Sequence, residues 1–522
     1  MKINSSATFM CLLMSLFTST HAANITVDAT TGVIDANDGE CSLSEAIEAA
    51  NTGTAFNECI YNADNDQSTT IILTTDIVLN EIIDTDQNFG DTGTTAVEST
   101  IIIDGQDNGQ NNGTNYSISR NSNLVCSFTG TNDPLFRLMR VAVGGDLSLT
   151  NVTLTNGCVS THTANPIEGG GGAIYNSGTL SLQDVEIKDN ESAGSGGGVF
   201  NAGTISSVEN SRFENNIAAV SGGAIFVDRD DSLGMITNSQ FISNRAGVQN
   251  SGGAIFLTTN ASLAGVSDSY FKGNTANQGG GIYSTDSNFT ITGSTFADNK
   301  ADTGNSKKGG AILMSTGAIT INNSTFSGNS AGVGGALYSN TGKIKLYNAT
   351  FAANSANQGG VVYLSESLFE INNSLFLDND SDCATVDSSI ITGANNISDD
   401  ASNSCGVTTT DLDVADFVGI LQDNGGLTPT MALSPGSTAI DAGNGDSTAT
   451  DQRGFSAFGT RDVGAFELNP YDDCPMLLQS DGFTTTVTDA DELNQAIQCA
   501  NDNGNVETDT ITLTADITLN SI

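Results

Sequence analysis

Residues 309–329 read GGAILMSTGAITINNSTFSGN. Within this stretch Ile319 and Ile321 alternate with polar neighbours, Ser324 and Phe326 do the same, and Ser-Thr-Gly at 315–317 and Asn-Asn at 322–323 interrupt the alternation. Period-two patterning in short pieces, punctuated by turn formers, specifies short strands joined by tight turns and leaves no room for a helix. The frame recurs. A Gly-Gly pair followed by an apolar residue begins at Gly171, Gly197, Gly222, Gly252, Gly280, Gly309, Gly334 and Gly359, in steps of 26, 25, 30, 28, 29, 25 and 25. Each is followed by an apolar residue three positions before an asparagine. The apolar residues are Ile187, Phe213, Phe241, Phe271, Phe296, Phe326, Phe351 and Phe376, and the asparagines are Asn190, Asn216, Asn244, Asn274, Asn299, Asn329, Asn354 and Asn379.

Repeats of this length holding about three short strands predict an all-β fold, a parallel β-helix in which each copy is one coil of a solenoid. Inward Ile, Leu and Phe would stack on their equivalents about 4.8 Å away in the next coil. The eight asparagines would form a structural ladder, each bonding to backbone and to the next Asn so that the turn buries no unpaired polar group. Glycines at another corner would supply positive φ. A β-sandwich lacks eight copies of one pattern, propeller repeats usually exceed ~40 residues, and the leucine spacing of leucine-rich repeats is missing. About a dozen coils would make a rod roughly 60 Å long.

Composition fits an exposed, repetitive rod. Glycine fills 58 of 522 positions, proline only 6, and 16 Lys plus Arg face 60 Asp plus Glu for a net charge of −44. Such a surface excludes nucleic acid and anionic bilayers as partners, because both require clustered cations. Lys2, the apolar stretch Phe9 to Phe17 and Thr20-His21-Ala22-Ala23 read as a secretory signal peptide over residues 1–23. No later stretch is long and apolar enough for a membrane-spanning helix. Outside the signal, Cys41, Cys59, Cys126, Cys158, Cys383, Cys405, Cys474 and Cys499 are an even set in an exported chain and are disulfide candidates. Sequence-adjacent pairing is one of 105 connectivities open to eight cysteines.

Residues 42–51, SLSEAIEAAN, form the best helical stretch. Leu43, Ala46, Ile47 and Ala50 share a face, and Ser42 with Glu45 makes a capping box, so this helix is placed over the N-terminal end of the solenoid. The strands Ile71 to Leu73, Ile77 to Leu79 and Ile101 to Ile103 would follow as irregular first coils.

Three sets of motifs carry family resemblances. Cys41-Ser42-Leu43-Ser44-Glu45-Ala46-Ile47 resembles the opening of CSLREA-type domains of bacterial exported proteins, with Ser44 in place of the usual arginine. The GGAI and FxxN repeats resemble those of chlamydial polymorphic outer membrane proteins. LSPGSTAIDAG, DQRG and RDVGAFE within 433–467 resemble the choice-of-anchor Q segment that closes many such proteins. These resemblances imply a right-handed parallel β-helix displayed on, or released from, a bacterial surface or outer membrane, and no particular chemistry. Unlike the chlamydial proteins, the chain shows no series of amphipathic membrane-barrel strands after 468. Instead Leu493-Asn494-Gln495-Ala496-Ile497 repeats the pattern of Leu43 to Ile47, and ITLTADITLN at 511–520 repeats IILTTDIVLN at 71–80. The expected organisation is a signal over 1–23, cap helix and irregular coils over 24–160, and regular coils over 161–380. The last coils and closure then occupy 381–468, and the start of a second unit occupies 469–522, as in a piece of a longer tandem protein.

No residue set identifies an active site, so no catalytic, cofactor-binding or metal residues are assigned. Asp230-Asp231 and Asp399-Asp400 lack the companion motifs of polygalacturonase-like enzymes, and His162 is isolated in a Thr-rich loop. Arg229, beside Asp230 and Asp231, is the best catalytic candidate by composition, against a solvated turn as the plainer reading. Lys343 and Lys345 should point outward around Ile344. Asp451, Arg453, Arg461 and Asp462 are expected to form a structural ion-pair network. No cofactor is required; calcium is the one cation that the loop acids Asp35, Asp38, Glu40, Asp64 and Asp66 could hold, although their spacing matches no EF-hand. The expected function is therefore non-catalytic adhesion or another contact with cell-surface glycans or proteins. A polysaccharide lyase or glycoside hydrolase of the pectate-lyase-like β-helix type is the alternative.

Overall fold

A computed structural model describes residues 23–61, 68–86, 88–105, 115–129, 133–160, 169–247, 250–301, 307–400, 405–407, 409–444, 450–457, 459–468, 484–487 and 510–513. Residues 1–22, His162, Asp64, Asp66, Cys474, Cys499 and Leu493 to Ile497 lie outside them. The chain folds as a right-handed parallel β-helix. One long parallel sheet holds the first two strands of most coils, a second of ten strands holds the three-residue strands after the glycine corner, and a third of six strands closes the coil. Registers carry from coil to coil, with Ile319 paired to Ile344 and Phe326 to Phe351 and Ile225 to Ile255; a one-residue shift interrupts them between Leu180 and Ser181, where Ser181 pairs with Ser207.

The helix Leu43–Thr52 caps the N-terminal end with Ser42 and Glu45 in a complete capping box. Leu43, Ala46, Ile47 and Ala50 are buried against the strands Ala23–Val27 and Thr100–Asp104. Among the described residues there are three disulfides, Cys41–Cys59, Cys126–Cys158 and Cys383–Cys405. All are sequence-adjacent pairs.

Inside the solenoid, Phe213, Phe241, Phe271, Phe296, Phe326, Phe351 and Phe376 stack with ring centroids between 4.6 and 5.7 Å apart. Each ring is fully buried, which contributes about 2–3 kcal/mol per side chain from the area removed from water.

Beside this column the asparagines complete one another. Asn244 Nδ2 donates to Asn274 Oδ1 at 3.0 Å and to the Phe213 carbonyl at 2.9 Å, while Asn244 Oδ1 accepts from Asn216. The same pattern runs from Asn190 to Asn379. Beyond the last described step Asn379 bonds within its own coil: the Asp382 carboxylate accepts from Asn379 Nδ2 and from the Ser398 hydroxyl. Burial, aggravated by Asp399 and Asp400, pushes the Asp382 carboxyl up to about 6.

The corner glycine in the left-handed region always stands three residues before the strand's first apolar residue, as Gly222 does before Ile225. In the two Gly-Gly-Gly runs it is consequently Gly196 and Gly279, one position before the glycines that open the repeat frame. A Cβ there would meet backbone: at Gly222 it would lie 2.5 Å from the Ile225 carbonyl oxygen.

Two regularities were not anticipated from the sequence. Ser211, Ser239, Ser269, Ser294 and Ser324 form an inner ladder in which each hydroxyl accepts from the preceding coil's backbone. Two further corners hold non-glycine residues at positive φ. One runs Asn151, Asp184, Asn210, Asn238, Asp268, Asn323, Asn348, Asn373; the other includes Asp189, Asn215, Asp298 and Asp378. Asn and Asp tolerate this region better than other side chains.

Replacing Asn299 by Ala orphans the Asn274 amide donors and the Phe271 carbonyl, a loss of about 3 kcal/mol or more. Asn288→Ala at an exposed strand position should stay within about 0.5 kcal/mol; denaturant melts of the two variants check this. Because the Asp382 carboxyl is raised in the folded chain, its contribution is full below its unfolded value and is lost as pH rises through about 6. Asp382→Asn keeps an acceptor for Asn379 without a charge, so a melting-temperature series from pH 4 to 8 should show a smaller decline in that variant than in the parent.

Candidate binding face

The strands that follow the Asn/Asp corner present two outward columns. The first reads Asp76, Ser117, Thr153, Glu186, Arg212, Gln240, Tyr270, Thr295, Thr325, Thr350 and Leu375. Its order follows from the pairing of consecutive coils and, at Asp76, from the Ser117 amide and hydroxyl that donate to its carboxylate. The second reads Ser119, Thr155, Lys188, Glu214, Ile242, Lys272, Ala297, Ser327, Ala352 and Leu377. Chemistry changes along the face. From Glu186 and Lys188 as far as Tyr270 and Lys272 the residues are charged or large, Ile242 being the apolar one; threonine, small and apolar residues follow.

The change coincides with a cover. After the last coils the chain folds back through the strands Val418–Gln422 and Thr430–Leu433 and lies along the threonine half. Thr295 Oγ1 donates to the Pro429 carbonyl, Thr325 Oγ1 to Gln452 Oε1, and the Ala465 amide donates to Thr350 Oγ1. The Asn/Asp corner takes part as well: Asn323 Nδ2 donates to the Thr450 carbonyl, the Asn444 amide donates to Asn373 Oδ1, and Thr428 Oγ1 donates to the Gly293 carbonyl. Leu375, Leu377 and Ala352 pack with Leu433, Val463 and Phe466 beneath the cover. The closing segment therefore sits in a slot between the corner column and the first outward column.

A buried charge cluster holds this segment in shape. Arg453 Nε pairs with Asp451 at 2.8 Å, its guanidinium lies 3.6 Å from the Phe466 ring centroid, and a terminal nitrogen donates to the Glu467 carbonyl. Arg461 faces Glu467 at 3.8 Å and donates to Asn323. Its partner is therefore Glu467, whereas the Asp462 carboxylate is taken by the backbone amides of Asp441 and Leu468. Burial pushes the Asp462 carboxyl up to about 7 and lowers Arg461. Reduced solvation penalises both charged forms.

The uncovered half carries a trough of about 750 Å³ lined by Asp76, Asn115, Ser117, Asn151, Thr153, Thr155, Asp184, Val185, Glu186, Lys188, Asn210 and Arg212. Its cations pair with its acids: Lys188 lies 2.6 Å from Glu186, and Arg212 lies 3.9 Å from Glu186 and 2.8 Å from Glu214. Such half-exposed pairs contribute about 0–1 kcal/mol each; their effect here is to fix the side chains and offset charge. The carboxylates of Asp76, in the outward column, and Asp184, in the corner column, also line it, and among the described residues neither pairs with a cation.

None of the residues weighed earlier as catalytic belongs to this trough. Arg229 is exposed on a turn where its amide donates to Asp228 and where Asn260 bonds Asp230. Burial and the neighbouring Asp228 and Asp230 push Asp231 up to about 6. Asp399 accepts from the Asp378 amide, and the Asp400 amide donates to Ser398. Lys345 points outward and pairs with Glu370 at 3.3 Å. Asp35 and Asp38 accept amides two residues on. Among the described residues no group of three or more His, Cys, Asp or Glu side chains is arranged to hold a metal ion, and no helix is long and apolar enough to cross a membrane. The trough was missed because its residues come from coils up to about 135 positions apart in sequence, from Asp76 to Arg212. Only the alternation of Glu186, Lys188, Arg212 and Glu214 around Ile187 and Phe213 marked them as outward.

Two family descriptions match the chain. Residues 224–410 match the right-handed beta helix region, and residues 210–228 match the Chlamydia polymorphic membrane protein repeat. No curated protein is similar to the chain at a significant level.

Gln452 Oε1 and Nε2 tie the closing segment to Thr325 and Thr295 on the coils, and Nε2 also bonds Thr428 within the segment. Gln452→Ala should raise amide exchange over Thr430–Leu433 by about 10- to 100-fold, equivalent to about 1.4–2.8 kcal/mol of local opening, while leaving exchange in the asparagine ladder unchanged. Mass-spectrometric hydrogen exchange reads both.

Proposed function

We propose that this chain is a bacterial surface or secreted β-helix protein that acts by adhesion or another cell-surface contact and performs no catalysis. One observation carries the reading. The long repetitive face is half sealed by the chain's own closing segment, and in the open half the cations Lys188 and Arg212 are spent on Glu186 and Glu214 rather than held free beside a reacting centre. A rod with a repetitive polar face suits multiple weak contacts whose strengths combine. The match to the polymorphic membrane protein repeat supports a surface or outer-membrane setting, as do the CSLREA-like opening at Cys41 to Ile47 and the choice-of-anchor-like closure at 433–467. The same features support export by the signal at 1–23, and a second unit beginning within 469–522, where Thr484–Val487 pairs in parallel with Thr510–Leu513 as Ala23–Val27 does with Thr69–Leu73.

A second reading has one observation in its favour: Asp76, Asp184 and Glu186 share a trough with Lys188 and Arg212, the residue types that acid–base cleavage of a polysaccharide needs. Both readings meet in one experiment. Fluorescently labelled full-length protein should bind cell-surface material saturably, and the same preparation should release no reducing ends or unsaturated sugars from neutral or acidic polysaccharides. Release that Glu186→Gln abolishes would establish the enzyme instead.

A further inference from the structure

The closing segment shows what this face binds. Over the coils from Thr295 to Leu375 the closing segment, made mostly of turns outside the strand Thr430–Leu433, lies in the slot between two columns. It gives backbone amides to Asn373 and Thr350 and takes hydroxyl and amide hydrogens from Thr295 and Asn323 on its carbonyls. The slot does not stop where the segment stops. The corner column continues through Asp268, Asn238, Asn210, Asp184 and Asn151, and the outward column continues through Tyr270, Gln240, Arg212, Glu186 and Thr153. The trough is the far end of that slot, with Asn151, Asp184 and Asn210 on one side and Ser117, Thr153 and Glu186 on the other.

We propose that the trough is a docking site for a polypeptide segment of another protein, one that offers backbone amides to Thr153 and the Asn/Asp corner and basic side chains to Asp76 and Asp184. This rests on the reading of the chain as a binding rod. Two features select the partner. Continuity with the slot of the closing segment argues for polypeptide, since the Thr153 hydroxyl stands in the same column as the three threonines that hold that segment. Charge argues for a basic one. The covered half uses neutral Thr and Asn at these positions, whereas the open half places the carboxylates of Asp76 and Asp184 where no cation among the described residues pairs with them, on a chain of net charge −44 that repels anionic partners and draws cationic ones from a distance.

The probe is a fluorescent twelve-residue peptide of alternating Lys and Thr, titrated into the full-length protein and followed by anisotropy, with cellohexaose as a neutral-glycan arm. Asp76→Asn combined with Asp184→Asn should weaken peptide binding at least tenfold, and Thr153→Val at least threefold. Asparagine already occupies the corner at 151 and 210, so the Asp184→Asn backbone is undisturbed, and a melting curve verifies folding. The control Glu98→Gln with Asp416→Asn removes the same charge at exposed sites away from the trough and should leave affinity within twofold. Equal losses in the two double variants would assign the binding to the general acidic surface and overturn the proposal. Absence of peptide binding, or cellohexaose binding that the trough variant abolishes, would overturn the class of partner. Polysaccharide cleavage would overturn the underlying reading while leaving peptide affinity as measured.

Discussion

A buried primary amide that bonds to the same amide one coil away is the constraint on which the rest of this molecule depends. Each asparagine from Asn190 to Asn354 hands both a side-chain hydrogen and its backbone amide to the next Asn Oδ1, and its other side-chain hydrogen to a carbonyl of an earlier coil. The turn can then bury its polar groups at 0% exposure with none left unpaired, an otherwise expensive arrangement. It also fixes register. A slip of one residue would break the amide ladder, the phenylalanine stack and the serine ladder together, so consecutive coils are locked in phase and outward side chains fall into straight columns.

Function on this face follows from that straightness. Because the columns are in phase, the properties of the surface are set one residue per coil, and a change of residue type partway along divides one face into two regions. The threonine half is occupied by residues 428–466 of the same chain, and the charged half is open. The closing segment spends its buried charges on its own shape: Arg453 on Asp451 and Phe466, and Arg461 on Glu467. Its contacts with the coils are mostly neutral hydrogen bonds and apolar packing, which suits a cover laid on a preformed rod.

The sequence displayed the coil because coil-to-coil stacking demands the same residue at the same place in every turn. Phe-x-x-Asn and Gly-Gly are visible for that reason, as is the capping box at Ser42 and Glu45 that closes the N-terminal end. The serine ladder was equally regular, with Ser two positions before each Phe, yet serine is common enough in such a chain to pass as a turn residue; Ala349 also interrupts the series. The Asn/Asp corners were obscured because Asn, Asp, Gly, Ser and even Ala353 share them. Least legible were the contacts between the closing segment and the coils. Gln452 meets Thr325 across 127 residues, and no local pattern encodes such a pairing. The trough is hidden for the same reason, since register alone brings Asp76 beside Ser117 and Ser117 beside Thr153.

Residue-resolved amide hydrogen exchange on the full-length protein addresses the central claim most directly. If the amide ladder organises the rod, the backbone amides of Asn216, Asn244, Asn274, Asn299 and Asn329 will be among the slowest to exchange, opening only with the solenoid as a whole, and residues 428–466 will open earlier as a separate unit. Ladder amides that exchange as fast as those of exposed turn residues such as Arg229 and Asp230 would show that the asparagines decorate the coils rather than hold them, and would contradict the account.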